Sequence, residues 1–175
     1  MKRAAIQILL TEPYRNFFPN TKKEAITIES ITELNTLLMG EHMAIQSYEH
    51  FMEQVEDRTI KKTLQKIQQD HKLHAVKIAE QIQNLGGRPA NDPPMMAEFM
   101  LTLKSLHKKD LASVIKDAYV GQKRGIEKAE EIVKGDLDQS SKNLITDILH
   151  EDTMHLSILK ELMNHLDNNT STPIH

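Results

Sequence analysis

The sequence has no cysteine and no tryptophan. The first absence excludes disulfides, thiolate metal sites and a cysteine nucleophile, and it suits a reducing cytoplasm. With aromatic residues at only 4%, a core must be built from Leu, Ile, Met and Ala, the materials of helix bundles. Six Gly and six Pro in 175 residues are few for the many turns of an all-β chain. Charge of one sign is lacking too. Twenty-two basic and 25 acidic side chains leave a net charge of -3, so no nucleic-acid surface is expected. No stretch is long and apolar enough to span a bilayer. The amino terminus does not read as a signal peptide: Ala4 to Leu10 follows Met1-Lys2-Arg3, but this short run contains Gln7 and leads into Thr11-Glu12-Pro13 with no small-x-small cleavage pattern. What remains is one cytoplasmic globular domain, long enough to bury a core unaided.

Helix punctuation then divides the chain. Residues 1–29 are expected to form an irregular arm, because Pro13, Pro19 and Asn20 interrupt regular elements. Ser30-Ile31-Thr32-Glu33 has the pattern of a capping box, which predicts a helix from there to about Glu56 with apolar residues at 34, 38, 45, 48, 52 and 55. Asp57 can cap a second helix, stopped by Gly86-Gly87 and Pro89. Residues 86–109 form a long connection, in which Asp92-Pro93-Pro94 can start a short helix over Met95 to Leu106. The third helix is expected from about Asp110 to Lys134, the fourth from Gln139 to Asp167, and a polar tail over 168–175. Two short links and one long one predict an all-α antiparallel four-helix bundle over 30–167, with a long crossover between helices two and three.

The two halves resemble each other. An offset of 81 residues, without a gap, brings Gly40 onto Gly121, Ile45 onto Ile126, Glu49 onto Glu130, Asp57 onto Asp138, Ile67 onto Ile148, and His74 onto His155. A duplicated helical hairpin is the reading.

The apolar ladder of each helix breaks only at mid-length. The breaks fall at Glu41 in helix one, His71 and His74 in helix two, Gln122 in helix three, and Asp152 and His155 in helix four. Glu41 precedes His74 by the same interval that separates Gln122 from His155, so each pair should meet at one height in its hairpin. Burying a carboxylate or an imidazole without partners costs several kcal/mol, of about 5–15 that a domain has. A cation held by two His and several carboxylates would satisfy them.

Other readings stand beside this one. Asp70 and Glu151, each one turn before a histidine, could bridge metal ions, orient the imidazoles through their far nitrogens, or be solvated. His71 could be a third nitrogen ligand or a core histidine bonded to Glu41. Gln122 is expected to be a hydrogen-bonding spacer rather than a ligand. Tyr48 is expected to pack in the core with its hydroxyl on a carboxylate. Gly40 and Gly121 are expected to let helices approach beside the polar level. His42, His50, His107, His150, His165 and His175 are expected at the surface, and the nine Met as core filler. No Gly-rich phosphate loop, hydrolase elbow or nucleophile–base pair is present.

The run Gly40-Glu41-His42-Met43-Ala44-Ile45-Gln46-Ser47-Tyr48 resembles the first metal-ligand helix of bacterioferritin and rubrerythrin, where a Glu is followed by Ala-Ile and then, seven residues on, by a Tyr. His74-Ala75 through Leu85-Gly86-Gly87-Arg88-Pro89 resembles their second helix, and Glu151-Asp152-Thr153-Met154-His155-Leu156 their fourth. The resemblance covers residues 30–167, and the whole is similar to small bacterial ferritin-like proteins of unassigned function. It implies a ferritin-like fold with Glu41, His74 and His155 as metal ligands and Asp152 in the carboxylate place of the last Glu-x-x-His. The chain departs from the family pattern at His71, where the family has a bridging Glu that Asp70 could replace, and at Gln122, where it has a carboxylate.

Two functions are therefore expected to compete. One is a metal-binding bundle with a degenerate di-metal site, non-enzymatic or stress-related, holding a single Zn-like ion or only a hydrogen-bonded network. The other is a non-haem di-iron oxidase, peroxidase or ferroxidase. The cofactor is one or two iron ions, or another divalent metal such as Zn or Mn. A homodimer is the base-rate expectation for assembly.

Overall fold

The computed structural model describes residues 21–90 and 109–170, without the side chains of 169 and 170. Four helices make up the fold: α1 (Lys22–Gln54), α2 (Arg58–Asn84), α3 (Leu111–Val133) and α4 (Gln139–Thr170). Among the described residues there is no strand. Residues 1–20, the short helix expected over Met95 to Leu106, and residues 171–175 lie outside this range.

Each helix start is set by a short polar side chain. Thr21 and Glu24 form a reciprocal capping box at 3.1 Å in both directions. The expected box at Ser30–Glu33 is instead in mid-helix. Ser30 Oγ donates to the Ile26 carbonyl at 2.8 Å and accepts the Asp138 N–H at 2.9 Å. Residues 22–29, expected in an arm, are thus helical, and Ser30 ties α1 to the start of α4. Asp57 Oδ1 accepts from the amides of Thr59 and Ile60 at 2.8 and 2.9 Å. Asp110 caps α3 through Ser113, and Asp138 accepts from Ser140 and Ser141 ahead of α4. Helix α4 ends at Thr170, so Asn168–Thr170 continue the helix rather than begin the tail.

The end of α2 shows why two glycines stand there. The Gly86 and Gly87 amides bond back to the carbonyls of Gln83 and Ile82, both at 2.9 Å, the double closure that needs a left-handed residue between them. Gly86 supplies it at φ 80°. A Cβ on Gly87 would lie 2.8 Å from Ile31 Cγ2, so its bare backbone is what lets the turn close against α1.

The links between α1 and α2 and between α3 and α4 are short, which makes each pair a hairpin. The crossover between them is fixed to α1 at both described ends. Asn35 bonds the Arg88 carbonyl at 3.3 Å and the Ala90 amide at 2.7 Å, while Gln54 accepts the Lys109 amide at 3.0 Å. Asn35 and Gln54 are about 28 Å apart along α1 at 1.5 Å per residue, so the two described ends of the connection lie most of that helix's length apart. The apolar core falls into two clusters. Leu34, Leu38, Ile78, Ile82, Ile132 and Ile145 belong to one, and Val55, Leu64, Ile67, Val114, Ile115 and Leu159 to the other. A polar layer lies between them.

Candidate metal centre

All six polar residues that interrupt the apolar ladders are buried in this layer: Glu41, His71, His74, Gln122, Asp152 and His155, at 0–7% exposure. Helix geometry places them there. His71 and His74 are three apart on α2, as Asp152 and His155 are on α4, so each pair presents neighbouring side chains on one inward stripe.

The contacts form two systems. In the first, His71 bridges Glu41 and Gln122. Its Nδ1 is 2.7 Å from Glu41 Oε2, and its Nε2 is 3.1 Å from Gln122 Oε1. The Tyr48 hydroxyl donates to that same Gln122 oxygen at 3.0 Å. Tyr48 packs in the core as expected, but its hydroxyl rests on an amide and not on a carboxylate. In the second system, His74 Nε2 lies 3.0 Å from Glu151 and His155 Nε2 lies 3.1 Å from Asp70. These pairs cross between α2 and α4, whereas the sequence spacing suggested Asp70 with His74 and Glu151 with His155 on the same helix. Lys66 and Lys77 hold the two carboxylates from outside, Lys66 on Asp70 and Lys77 on Glu151. A cleft of about 920 Å³, lined by Lys66, Asp70, Glu151, Met154, His155 and Ile158, opens the outer edge of this layer to solvent.

With their Nε2 atoms engaged, His74 and His155 turn Nδ1 inward. His155 Nδ1 lies 3.4 Å and His74 Nδ1 3.9 Å from Asp152 Oδ1, and His74 Nδ1 is 3.6 Å from Glu41 Oε1. The Nδ1 atoms of His74 and His155, and Asp152 Oδ1, are buried with no hydrogen-bond partner. Native structures rarely leave such atoms unsatisfied, and an ion is one standard reason. Donors around a tetrahedral Zn-type ion at about 2.0–2.1 Å stand about 3.3–3.4 Å from one another. The three separations here are 3.4, 3.6 and 3.9 Å, and both groups of ligand atoms that gather within 4.8 Å include His71, so the donor types suit one divalent ion but Glu41, His74, Asp152 and His155 must draw together to hold it. They do not reproduce a four-carboxylate, two-histidine pair site: the buried layer holds two carboxylates, Glu41 and Asp152, with three histidines and Gln122.

The electrostatics show how the layer holds its charge. Burial pushes the Glu41 carboxyl up, but its bond to His71 and the nearby His74 imidazole hold it below the ordinary carboxylate range. Burial opposes charge on His74, yet Glu41, Glu151 and Asp152 raise it to about 9. His71 is likewise raised, its bond to Glu41 outweighing burial. Burial and the Asp152 charge push the Tyr48 phenol up, so it is a neutral donor. The His74 bond holds Glu151 below its usual value, while Asp70, against the push of burial, is held down by Lys66 and His155.

The remaining expectations divide. Gly40 and Gly121 do not serve close packing: a Cβ on either would meet no described atom within 4 Å. His150 and His165 are exposed, but the His50 side chain is only 17% exposed. His107 and His175 lie outside the described residues. Gln68 was missed. It is buried beside the layer and donates to the Ile45 carbonyl at 3.0 Å, and its position four residues after Leu64 was the available signal.

Residues 29–135 match the model of a family described as Domain of unknown function (DUF2383). No curated protein matches the chain. Solved structures share its fold. A bacterioferritin of Desulfovibrio desulfuricans, whose structure is described through its diiron site, is 21% identical with a TM-score of 0.72, over 85% of each chain. A dodecameric, bacterioferritin-related thioferritin of Bacteroides fragilis is 21% identical with a TM-score of 0.74, over 85% of this chain and 92% of that one. A two-domain protein of Anabaena variabilis with DJ-1/ThiJ/PfpI-like and ferritin-like domains is 18% identical with a TM-score of 0.72, over 83% of this chain. The chain spans 41% of that protein's length. The bundle is ferritin-like.

Proposed function

Because the chain belongs to the DUF2383 family, a domain of unknown function, we propose a function from its own residues: a ferritin-like protein that binds a divalent metal ion between Glu41, His74, Asp152 and His155. The observation that carries this is the set of three buried, unpartnered ligand atoms, His74 Nδ1, His155 Nδ1 and Asp152 Oδ1. Asp70 and Glu151 act from outside, each accepting from the far nitrogen of an imidazole and so fixing the tautomer that leaves Nδ1 free for the ion. Two imidazole nitrogens with two carboxylates suit Fe(II), Zn(II) or Mn(II). Such an ion, when bound, supplies Lewis acidity and, if it is iron, electron transfer. The role is to hold metal, non-enzymatic or tied to oxidant stress, and no residue is assigned a catalytic step. Metal analysis of protein purified without chelator should find the ion in the wild type and its loss in Glu41→Ala and His155→Ala. Full metal content in both variants would remove the site from consideration.

One observation favours a second reading, a di-iron oxidase or ferroxidase. Two groups of ligand atoms, Glu41/His71/His74 and His71/Asp152/His155, each gather within 4.8 Å, as two adjacent ions would require. Anaerobic loading with Fe(II) followed by oxygen should then give the near-ultraviolet absorbance of an oxidised two-iron centre. Oxidation no faster than in buffer would dismiss this reading.

A further inference from the structure

We propose that His71 and Gln122 occupy the place of a second metal ion and set the capacity of the centre at one ion per chain. This rests on the reading of the layer as a metal centre and specifies what it can hold.

Both ligand groups include His71, so an ion in each group would need both nitrogens of that ring. Neither is free. Nδ1 is bonded to Glu41 Oε2 at 2.7 Å and Nε2 to Gln122 Oε1 at 3.1 Å, with the ring 4% exposed. His74 and His155 differ in this respect, each keeping an unpartnered Nδ1. Turning His71 toward an ion would break both bonds and leave Gln122 and one oxygen of Glu41 unpaired in the core.

Gln122 closes the same side. Its oxygen already accepts from the Tyr48 hydroxyl at 3.0 Å as well as from His71, and a neutral amide brings no charge to offset a cation. The Tyr48 ring backs the arrangement, with its centroid 5.4 Å from that of His71. Tyr48, Gln122, His71 and Glu41 thus form one continuous hydrogen-bonded chain through the volume a second ion would need.

Charge gives the same count. Inside the layer the anions are Glu41 and Asp152, and Glu41 is already paired with His71 at 2.7 Å, so the layer can offset one divalent cation at most. Asp70 and Glu151 lie at the edge and are paired to Lys66 and Lys77, so they do not compensate a second ion. A further divalent charge would sit uncompensated between two apolar clusters, where burial penalises it most. The 81-residue repeat shows what is missing. Glu41 corresponds to Gln122 and His71 to Asp152, so each hairpin keeps one of the two carboxylates that a two-ion centre would take from it.

The test is Mn(II) stoichiometry on the full chain, by equilibrium dialysis with metal analysis, alongside electron paramagnetic resonance of the loaded protein. The wild type should saturate at one Mn(II) with the six-line signal of an isolated ion. The double variant His71→Glu/Gln122→Glu, which returns carboxylates to both positions, should bind two. Two ions in the wild type, or a spin-coupled pair signal, would overturn the inference and favour the di-iron reading. A double variant that keeps its helical circular dichroism yet stays at one ion would also overturn it. If the double variant does not fold, the wild-type count and signal still decide. No Mn(II) in the wild type at any concentration, repeated with Zn(II) and Fe(II), would instead defeat the metal reading itself.

Discussion

Asp152→Asn exchanges a buried carboxylate for an amide of the same shape, so it removes a charged ligand while leaving the packing intact. In the wild type, metal at about 100 times its dissociation constant should stabilise the fold by about 2.7 kcal/mol through mass action. At about 2–4 °C per kcal/mol for a domain of this size, Tm should rise by about 5–11 °C over the metal-free protein. Loss of a partner that only orients a ligating histidine typically weakens metal binding about 10–100-fold. Loss of a direct anionic ligand should reach or exceed the upper figure. At the same metal concentration Asp152→Asn would then gain only about 0.4 kcal/mol, a Tm rise of about 1–2 °C. Asp70→Asn acts through His155 at 3.1 Å and should fall between, with a rise of about 3–6 °C for a tenfold loss. The assay is differential scanning fluorimetry with Zn(II) or Mn(II), each variant referenced to its own chelated sample. A metal-induced shift in Asp152→Asn equal to the wild type's would refute the assignment of Asp152. A shift smaller in Asp70→Asn than in Asp152→Asn would refute the distinction between direct and outer residues.

Three further predictions concern the frame that holds the layer. Ser30→Ala leaves the Asp138 amide without its acceptor and should cost about 1–3 kcal/mol in urea unfolding; no loss would show that the tie between α1 and α4 is dispensable. The Asp138 carboxyl, despite the push of burial, is held at about 2 by bonds from Ser140 and Ser141. A folded value below the unfolded one stabilises above the unfolded value and is lost as pH falls. The stability difference between wild type and Asp138→Asn should therefore be full above pH about 4 and decline toward pH 2, and a flat difference across that window would contradict the cap. Gly87→Ala drives a Cβ to 2.8 Å from Ile31 Cγ2 and should cost about 1–3 kcal/mol by overpacking. In an Ile31→Ala background most of that cost should vanish, and a double-mutant cycle with no coupling would exclude this contact as the cause.

Much of this architecture was legible in the residue order. Asp57, Asp110 and Gly86 mark helix ends that depend on local bonds alone, and local bonds are what a sequence spells out. The polar layer was legible for a different reason: Glu41, His74, Asp152 and His155 break an apolar period, and a break in a period needs no tertiary knowledge to be seen. The start of α1 was not legible, because Thr21–Glu24 and Ser30–Glu33 both have the capping-box pattern. Only the Asp138 amide, more than a hundred residues away, makes Ser30 a tie rather than a cap. The partners of Asp70 and Glu151 were equally hidden. A one-turn spacing suggests a partner on the same helix, but across the α2–α4 contact each carboxylate meets the opposite imidazole. Gly40 and Gly121 misled because a mid-helix glycine signals a close neighbour only when there is one.

The repeat that builds this bundle has an unequal result. The first hairpin brings His71, His74 and the outer Asp70 to the centre, the second His155 and the outer Glu151, and the first keeps its inner carboxylate at Glu41 and the second at Asp152. Neither hairpin folded against a copy of itself would reproduce the set: two first halves would offer Glu41 twice with His71 in both remaining positions, and two second halves would offer Asp152 twice with Gln122. The two hairpins are therefore not interchangeable, and residues aligned at an 81-residue offset enclose a lopsided interior. An ion held there would have a distinct near and far side within the molecule.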